Sequence, residues 1–353
     1  MDQDKKLKEE LKQKFCKVPF EFVDLSHPPR NDVLPCCWVV KPIGFISETT
    51  NLDQIWNSPE AVEVRKSILD GSYKYCRVDD CPHIHNGQLP DKKDVKDPYH
   101  RAIIDNNITV LPEGPKVLHF NNDPSCNLSC PSCRKEKSLI VNGEEFEKRK
   151  RIWAHSITPE VLAETRELSI TGSGDPFASK IYRDFLTTLD GSKYPNLKIN
   201  LFTNGVLFTE KMWKSIEKIH HNIQDVKVSL DSMKKETYDI VRRGGDFHAA
   251  LENVRHLSVQ KSNGYFRDLV ICFVVQRHNY KEMPAFVDFA LGLKNVKVHF
   301  QRIINWGTFT EAEFKSHAVY HTDHPEHKDF IEVLKNPLFR NPAVDMGNLT
   351  KYL

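Results

Sequence analysis

The chain has 353 residues, enough to bury a substantial core as one large domain with a satellite or as two domains. Its 50 Lys and Arg against 48 Asp and Glu leave a formal charge of +2, which excludes the strong basic field of a nucleic-acid module. The N-terminus is charged from its second residue and has no apolar signal core, and no run of about 18 apolar residues is present to span a bilayer. A cytoplasmic chain with no membrane partner is the expectation, and its nine cysteines then point to metal or catalysis rather than to a disulfide framework.

Residues 4–15 predict a short charged helix, followed by an irregular stretch from Phe20 to Leu34 with His27-Pro28-Pro29 and Asn31-Asp32 as breakers. From Leu52 to Asp70 the spacing of Ile55, Trp56, Val62, Val64, Ile68 and Leu69 predicts an amphipathic helix, with a start signal at Asn57-Ser58-Pro59 and a stop at Gly71. The charged stretch from Gln88 to about Pro98 reads as a linker. From Lys116 onward, β-rich runs alternate with helical stretches. The runs are Val117 to Phe120, Leu168 to Thr171, Leu197 to Phe202, Val226 to Leu230, Leu269 to Val275 and Val296 to Phe300. Helices are predicted near 158–166, 179–189, 209–219, 234–242, 246–261 and 280–292. Six such repeats specify an α/β fold with a parallel sheet, doubly wound or curled into a partial barrel, whose chemistry belongs at the C-terminal ends of the strands.

Directly after the first of these strands, NNDPSCNLSCPSCRK places Cys126, Cys130 and Cys133 in a C-x3-C-x2-C spacing. Three thiolates this close together can wrap one cubane and leave its fourth iron without a protein ligand, open to a substrate or cofactor. The competing reading is zinc, which usually takes paired C-x2-C units or added histidines to reach four ligands. Thr171-Gly172-Ser173-Gly174-Asp175-Pro176 follows the second strand, Thr203-Asn204-Gly205 the third, and Ser229-Leu230-Asp231 closes the fourth. Tyr238 to Arg242 precedes Gly244-Gly245 and Phe247.

In this order the motifs resemble the radical S-adenosylmethionine (SAM) superfamily, over roughly residues 115–310. The resemblance implies a partial (β/α)6, TIM-like barrel and a SAM-binding 4Fe-4S cluster on Cys126, Cys130 and Cys133. By the same resemblance Gly172, Ser173, Gly174 and Asp175 hold the methionine amino group, Ser229 and Arg242 bind the SAM carboxylate with Arg243 as the register alternative, and Asn204 belongs to the cofactor-binding set. Ser132 stands where relatives carry an aromatic residue against the SAM adenine, so adenine contacts come from elsewhere.

The N-terminal third holds five of the nine cysteines. Cys16, Cys36-Cys37, Gly44, the Ile55-Trp56-Asn57-Ser58 helix with Arg65, and Cys76-x4-Cys81-Pro82 resemble part of the SPASM or twitch extension of radical SAM enzymes. In most relatives the extension follows the barrel; here it precedes it. The resemblance implies one auxiliary 4Fe-4S cluster on Cys16, Cys37, Cys76 and Cys81, with Cys36 as the substitute for Cys37. A structural zinc ribbon is the other reading, and His83 and His85 rank below the thiolates as ligands. The implied organisation is a small cysteine-rich auxiliary-cluster domain over 1–98, the barrel over 115–310, and an extension over 311–353 packed on it.

The implied activity is reductive cleavage of SAM to a 5'-deoxyadenosyl radical, then hydrogen abstraction from a peptide or a small carbohydrate-like molecule. A flavodoxin- or ferredoxin-like protein would supply electrons, and the auxiliary cluster would assist their transfer. Cys272, inside the apolar run VICFVV, reads as a small hydrophobe. Asn305-Trp306-Gly307, after the sixth strand, reads as a segment shaping the pocket or as an ordinary loop with a packed tryptophan, and the histidines of 317–327 as a solvated polar loop. The alternative from another class is a non-catalytic zinc-binding interaction protein. An ordinary SAM-dependent methyltransferase lacks support because no Gly-rich loop follows the first strand.

Overall fold

The computed structural model describes residues 2–26, 31–79 and 81–353, and the side chains from residue 6 onward; the His27-Pro28-Pro29 breaker lies outside the described residues. The chain forms two compact units, Met1–Asn122 with Asn142–Ser169, and Asp123–Val141 with Ile170–Leu353.

In the first unit, β1 (Phe22–Leu25), β2 (Asp32–Leu34), β3 (Gly44–Phe45), β4 (Val117–Phe120) and β5 (Glu167–Ile170) are ordered β5-β4-β1-β2-β3. β1 runs parallel to β4, pairing Phe22 with Val117 and Leu25 with Phe120, while β2 lies antiparallel to β1 and to β3. The charged N-terminal helix is Asp2–Leu11. The predicted helix at 52–70 is two helices, Leu52–Trp56 and Pro59–Leu69. The break has a local cause, because Ser58 caps the second helix by accepting from Ala61 N, and Pro59 occupies the first turn, where a missing N–H is harmless.

Arg65 on that second helix is buried, at 1 % exposure, with its guanidinium over the Trp56 ring. It donates to Pro19 O (3.1 Å), Asn57 Oδ1 (2.9 Å), Thr109 O (2.9 Å) and Trp56 O (2.8 Å), tying three segments of the chain to one cation. The stretch read as a linker is pinned instead: Lys92 Nζ donates to Lys12 O and Leu69 O at 2.7 Å each, and Lys14 pairs with Asp91 at 3.0 Å. Its charges pointed to solvent in the sequence, but lysine stems lie along a surface while the ammonium satisfies helix-end carbonyls.

In the second unit, β6 (Lys198–Thr203), β7 (Ile223–Ser229), β8 (Asp268–Val275), β9 (Val296–Arg302) and β10 (Val344–Asp345) are all parallel and stand in sequence order. Side chains alternate between faces along a strand. On β8, Leu269, Ile271, Phe273 and Val275 are fully buried, and Phe273 meets Phe286 of helix Met283–Leu291 with ring centroids 4.9 Å apart. The other set, Asp268, Val270, Cys272 and Val274, is only half-buried and faces away from that helical layer. β4 to β9, each followed by helix, make six repeats, and the expected α/β class is what forms. The residues after 310 pack on the second unit: β10 pairs with β9, Tyr320 Oη donates to Ile303 O at 3.0 Å, and Tyr280 meets Phe330 edge-on. No helix among the described residues is long and apolar enough to cross a membrane.

Candidate functional site

The loop carrying Cys126, Cys130 and Cys133 is held in shape by its own polar groups. Asp123, buried, accepts from Ser125 N (3.0 Å) and Ser125 Oγ (2.7 Å) on one oxygen and from Ser179 Oγ (2.7 Å) on the other. Cys126 N donates to Ser138 O at 2.7 Å, and Cys133 N and Arg134 N both donate to Cys130 O at 2.9 Å. Gly174 makes the close approach to this loop possible, since a Cβ there would stand 2.7 Å from Asp123 O and 2.8 Å from Ser125 O.

Each of the three sulfurs faces N–H donors. Cys126 Sγ meets Leu128 N at 3.5 Å and Asn204 Nδ2 at 3.7 Å, Cys130 Sγ meets an Arg242 guanidinium nitrogen at 3.7 Å, and Cys133 Sγ meets Arg134 at 3.7 Å. Burial pushes the Cys126 thiol up to about 11 and raises that of Cys130, with Leu128 N–H and Arg242 opposing the shift. Buried thiols surrounded by N–H groups suit thiolates that give up their protons to a metal. Among the described residues, no three His, Cys, Asp or Glu side chains converge tightly enough to grip a single metal ion.

The three cysteines open on a cleft of about 320 Å³, within the usual range for ligand pockets. Gly172, Ser173, Gly174, Asn204, Ser229 and Arg242, all expected from the sequence, line it. Asn204 is fixed by donating to Asn127 Oδ1 at 2.9 Å and accepting from Val206 N at 3.0 Å, around a turn that Gly205 permits with φ +79°. Arg242 is ion-paired to buried Asp231 at 2.7 Å, and its buried Nε has no hydrogen-bond partner among the described residues. Burial presses the Arg242 pKa down, but Asp231 and the Cys130 sulfur more than offset this and hold it above the ordinary value. Asp231 in turn accepts from Val274 N at 2.7 Å. Arg243, the register alternative, staples the loop instead, donating to Ser129 Oγ (3.1 Å) and Lys135 O (2.7 Å).

Asp175 requires a correction. It is completely buried and absent from the cleft wall, with one oxygen accepting from Phe177 N and Ala178 N and the other from Thr203 Oγ1 (2.7 Å) and Asn204 N (2.8 Å). Burial raises its pKa against those hydrogen bonds. With all four contacts internal, it ties two strand ends together and presents no oxygen to an ammonium. Sequence reasoning also missed Arg134, which donates to Pro124 O and to Ser173 O as well as meeting Cys133. Lys227, Cys272, His299 and Gln301 join the cleft wall too; a two-residue period from Ser229 could have flagged Lys227, while the other three lie on β8 and β9.

In the first unit, Cys16, Cys76 and Cys81 lie within electrostatic reach of one another around the buried Tyr73. Burial pushes Cys16 up to about 11 and Cys76 up to about 12. Of the adjacent pair, Cys36 is buried and feels Cys16, whereas Cys37 is exposed and faces Asp24 and His119. Of the pair, it is Cys36 that lies toward Cys16. His83 and His85 are exposed, on the opposite side of a one-turn helix from buried Ile84. Farther along the chain, Trp306 is 73 % exposed rather than packed, in a turn built by Asn305. His324 and His327 bond the backbone carbonyls of Ser316 and Val319.

Residues 24–82 match the SPASM family, an iron-sulfur cluster-binding domain. The match takes in Cys36, Cys37, Cys76 and Cys81 and bears out the SPASM resemblance read from this stretch, which lies ahead of the six repeats. The chain is 30% identical over 189 residues to an uncharacterised protein of Archaeoglobus fulgidus, covering 51% of this chain and 40% of that one. It is 29% identical over 138 residues to a GTP 3',8-cyclase of Alkaliphilus metalliredigens, covering 37% and 39%. It thus spans about two fifths of the length of these curated relatives. Among solved structures, Streptococcus suis SuiB bound to S-adenosylmethionine aligns with TM-score 0.45 at 14% identity over 81% of this chain and 60% of that one. Native anSMEcpe with bound AdoMet and a Kp18Cys peptide aligns with TM-score 0.38 at 21% identity, over 62% and 57%.

Proposed function

We propose that the chain is a radical SAM enzyme acting on a peptide or a small carbohydrate-like molecule in the cytoplasm, with a flavodoxin- or ferredoxin-like protein as electron donor. The observation that carries this reading is the set of three thiols on one loop, each facing N–H groups, at the mouth of a cleft whose wall includes Ser229 and Arg242. When bound, a 4Fe-4S cluster and SAM supply an electron and a sulfonium whose cleavage gives a 5'-deoxyadenosyl radical able to take hydrogen from an unactivated C–H bond.

The chain's own residues supply the rest. Cys126, Cys130 and Cys133 hold three irons. Leu128 N, Asn204, Arg242 and Arg134 donate to the sulfurs, which favours the added negative charge of reduction. Ser229 and Arg242 serve the SAM carboxylate, with Asp231 fixing the guanidinium. Backbone carbonyls of the 171–174 turn, the Ser173 carbonyl braced by Arg134, replace Asp175 as the acceptors for the methionine ammonium. Cys16, Cys36, Cys76 and Cys81 hold an auxiliary 4Fe-4S cluster, and four thiolates close it to substrate, which leaves it electron transfer as its task.

The test is anaerobic reconstitution followed by iron analysis and electron paramagnetic resonance of the dithionite-reduced protein. Two four-iron clusters give about eight iron per chain, and SAM should shift the signal of one of them. Zinc in place of iron, or a spectrum indifferent to SAM, contradicts the proposal.

A further inference from the structure

We propose that Lys227 anchors an anionic group, carboxylate or phosphate, of the substrate; this names a substrate class for the radical SAM reading above and rests on it. The described residues that line the cleft include three permanent cations, Arg134, Lys227 and Arg242, and no Asp or Glu. Two of the cations are already committed. Arg134 spends its guanidinium on Pro124 O, Ser173 O and the Cys133 sulfur, and Arg242 is paired with Asp231 and the Cys130 sulfur.

Lys227 makes no ion pair among the described residues. Its ammonium lies 4.9 Å from the centroid of the Phe202 ring, which positions a cation without neutralising it. Its charge reaches the Asp345 carboxylate, which is held by His299 Nδ1 at 2.7 Å and by Gly347 N at 2.8 Å.

The register places further polar groups beside it. Lys227 and Ser229 share one face of β7; Ser229 stands level with Cys272 on β8, and Cys272 with His299 on β9. Gln301 follows two residues on from His299, on the same face. A half-buried cation in a cleft wall whose described residues include no Asp or Glu favours an anion over water, through charge-assisted hydrogen bonds. The SAM carboxylate has Ser229 and Arg242, so the Lys227 end of the cleft is left for the substrate.

The reconstituted, SAM-loaded full chain is titrated by calorimetry with sodium phosphate and, separately, with sodium acetate, at constant ionic strength. Saturable binding of at least one is expected, weakened about tenfold in Lys227→Met and retained in Lys227→Arg. Tighter phosphate assigns a phosphate ester as substrate, and tighter acetate a carboxylate. A second readout needs no variant: the same anions should slow acylation of Lys227 in the wild-type chain.

No saturable binding to the wild type, equal binding in Lys227→Met, or no protection from acylation overturns the inference. So does a loss of SAM affinity in Lys227→Met, which would give the lysine to the SAM carboxylate. Failure of the underlying reading is seen separately, as a wild-type reconstituted chain that does not bind SAM at all.

Discussion

At the scale of single residues, two neighbouring cysteines carry opposite expectations. Cys36 is buried toward Cys16, and Cys37 is exposed toward Asp24 and His119. Reconstituted Cys36→Ala should therefore lose about half of its iron, the share of one four-iron cluster of two, while Cys37→Ala keeps it; the reverse result would restore Cys37 as the ligand. Cys272 makes a pH-dependent prediction. Burial pushes its thiol from the ordinary 9.0 up to about 12, with Lys227 opposing. The folded chain thus keeps a proton that the unfolded chain gives up, so this contribution to stability is complete below about pH 9 and is lost as pH rises through the folded value. The melting temperature of the metal-free wild type should fall more steeply than that of Cys272→Ala between about pH 9 and 11, and parallel curves would contradict a raised Cys272 thiol. Neither the Cys36 choice nor the inward turn of Asp175 was legible in the sequence, because spacing fixes which residues are neighbours but not which way each side chain points. The grouping of Cys126, Cys130 and Cys133 at one cleft was legible because one short loop delivers all of them.

At the scale of elements, the strands were largely legible and the helix breaks were not. The run Val117 to Phe120 is β4, and Leu269 to Val275 is β8 less its first residue, since β-branched and aromatic residues crowd these short segments. The helix at 52–70 kept its apolar period through Asn57, but the Ser58-Pro59 cap outweighs that period and starts a new helix. What joins the two is Arg65, whose burial no periodicity announces. Arg65→Met keeps most of the volume but leaves Pro19 O, Thr109 O and Trp56 O without their donor. Urea unfolding should show a loss of about 3 kcal/mol, and a change under about 0.5 kcal/mol would mean that these carbonyls find other partners.

At the scale of the whole chain, the α/β repeats were readable from alternation alone, and the cysteine-rich third from its composition. The course of Gln88 to Pro98 was not, because a charged segment looks solvated until Lys92 and Asp91 are seen bonded to the rest of the first unit. Nor was the full cleft wall, which draws Lys227, Cys272, His299 and Gln301 from three strands that only the register brings level. The account stands on a cluster loop that leaves one iron for SAM. Anaerobic incubation of the reconstituted chain with SAM and dithionite, followed by chromatography for 5'-deoxyadenosine, tests this most directly. The wild type should form the nucleoside and Cys130→Ala should form none; a wild type that yields none while carrying its iron, or a variant as active as the wild type, would contradict the account.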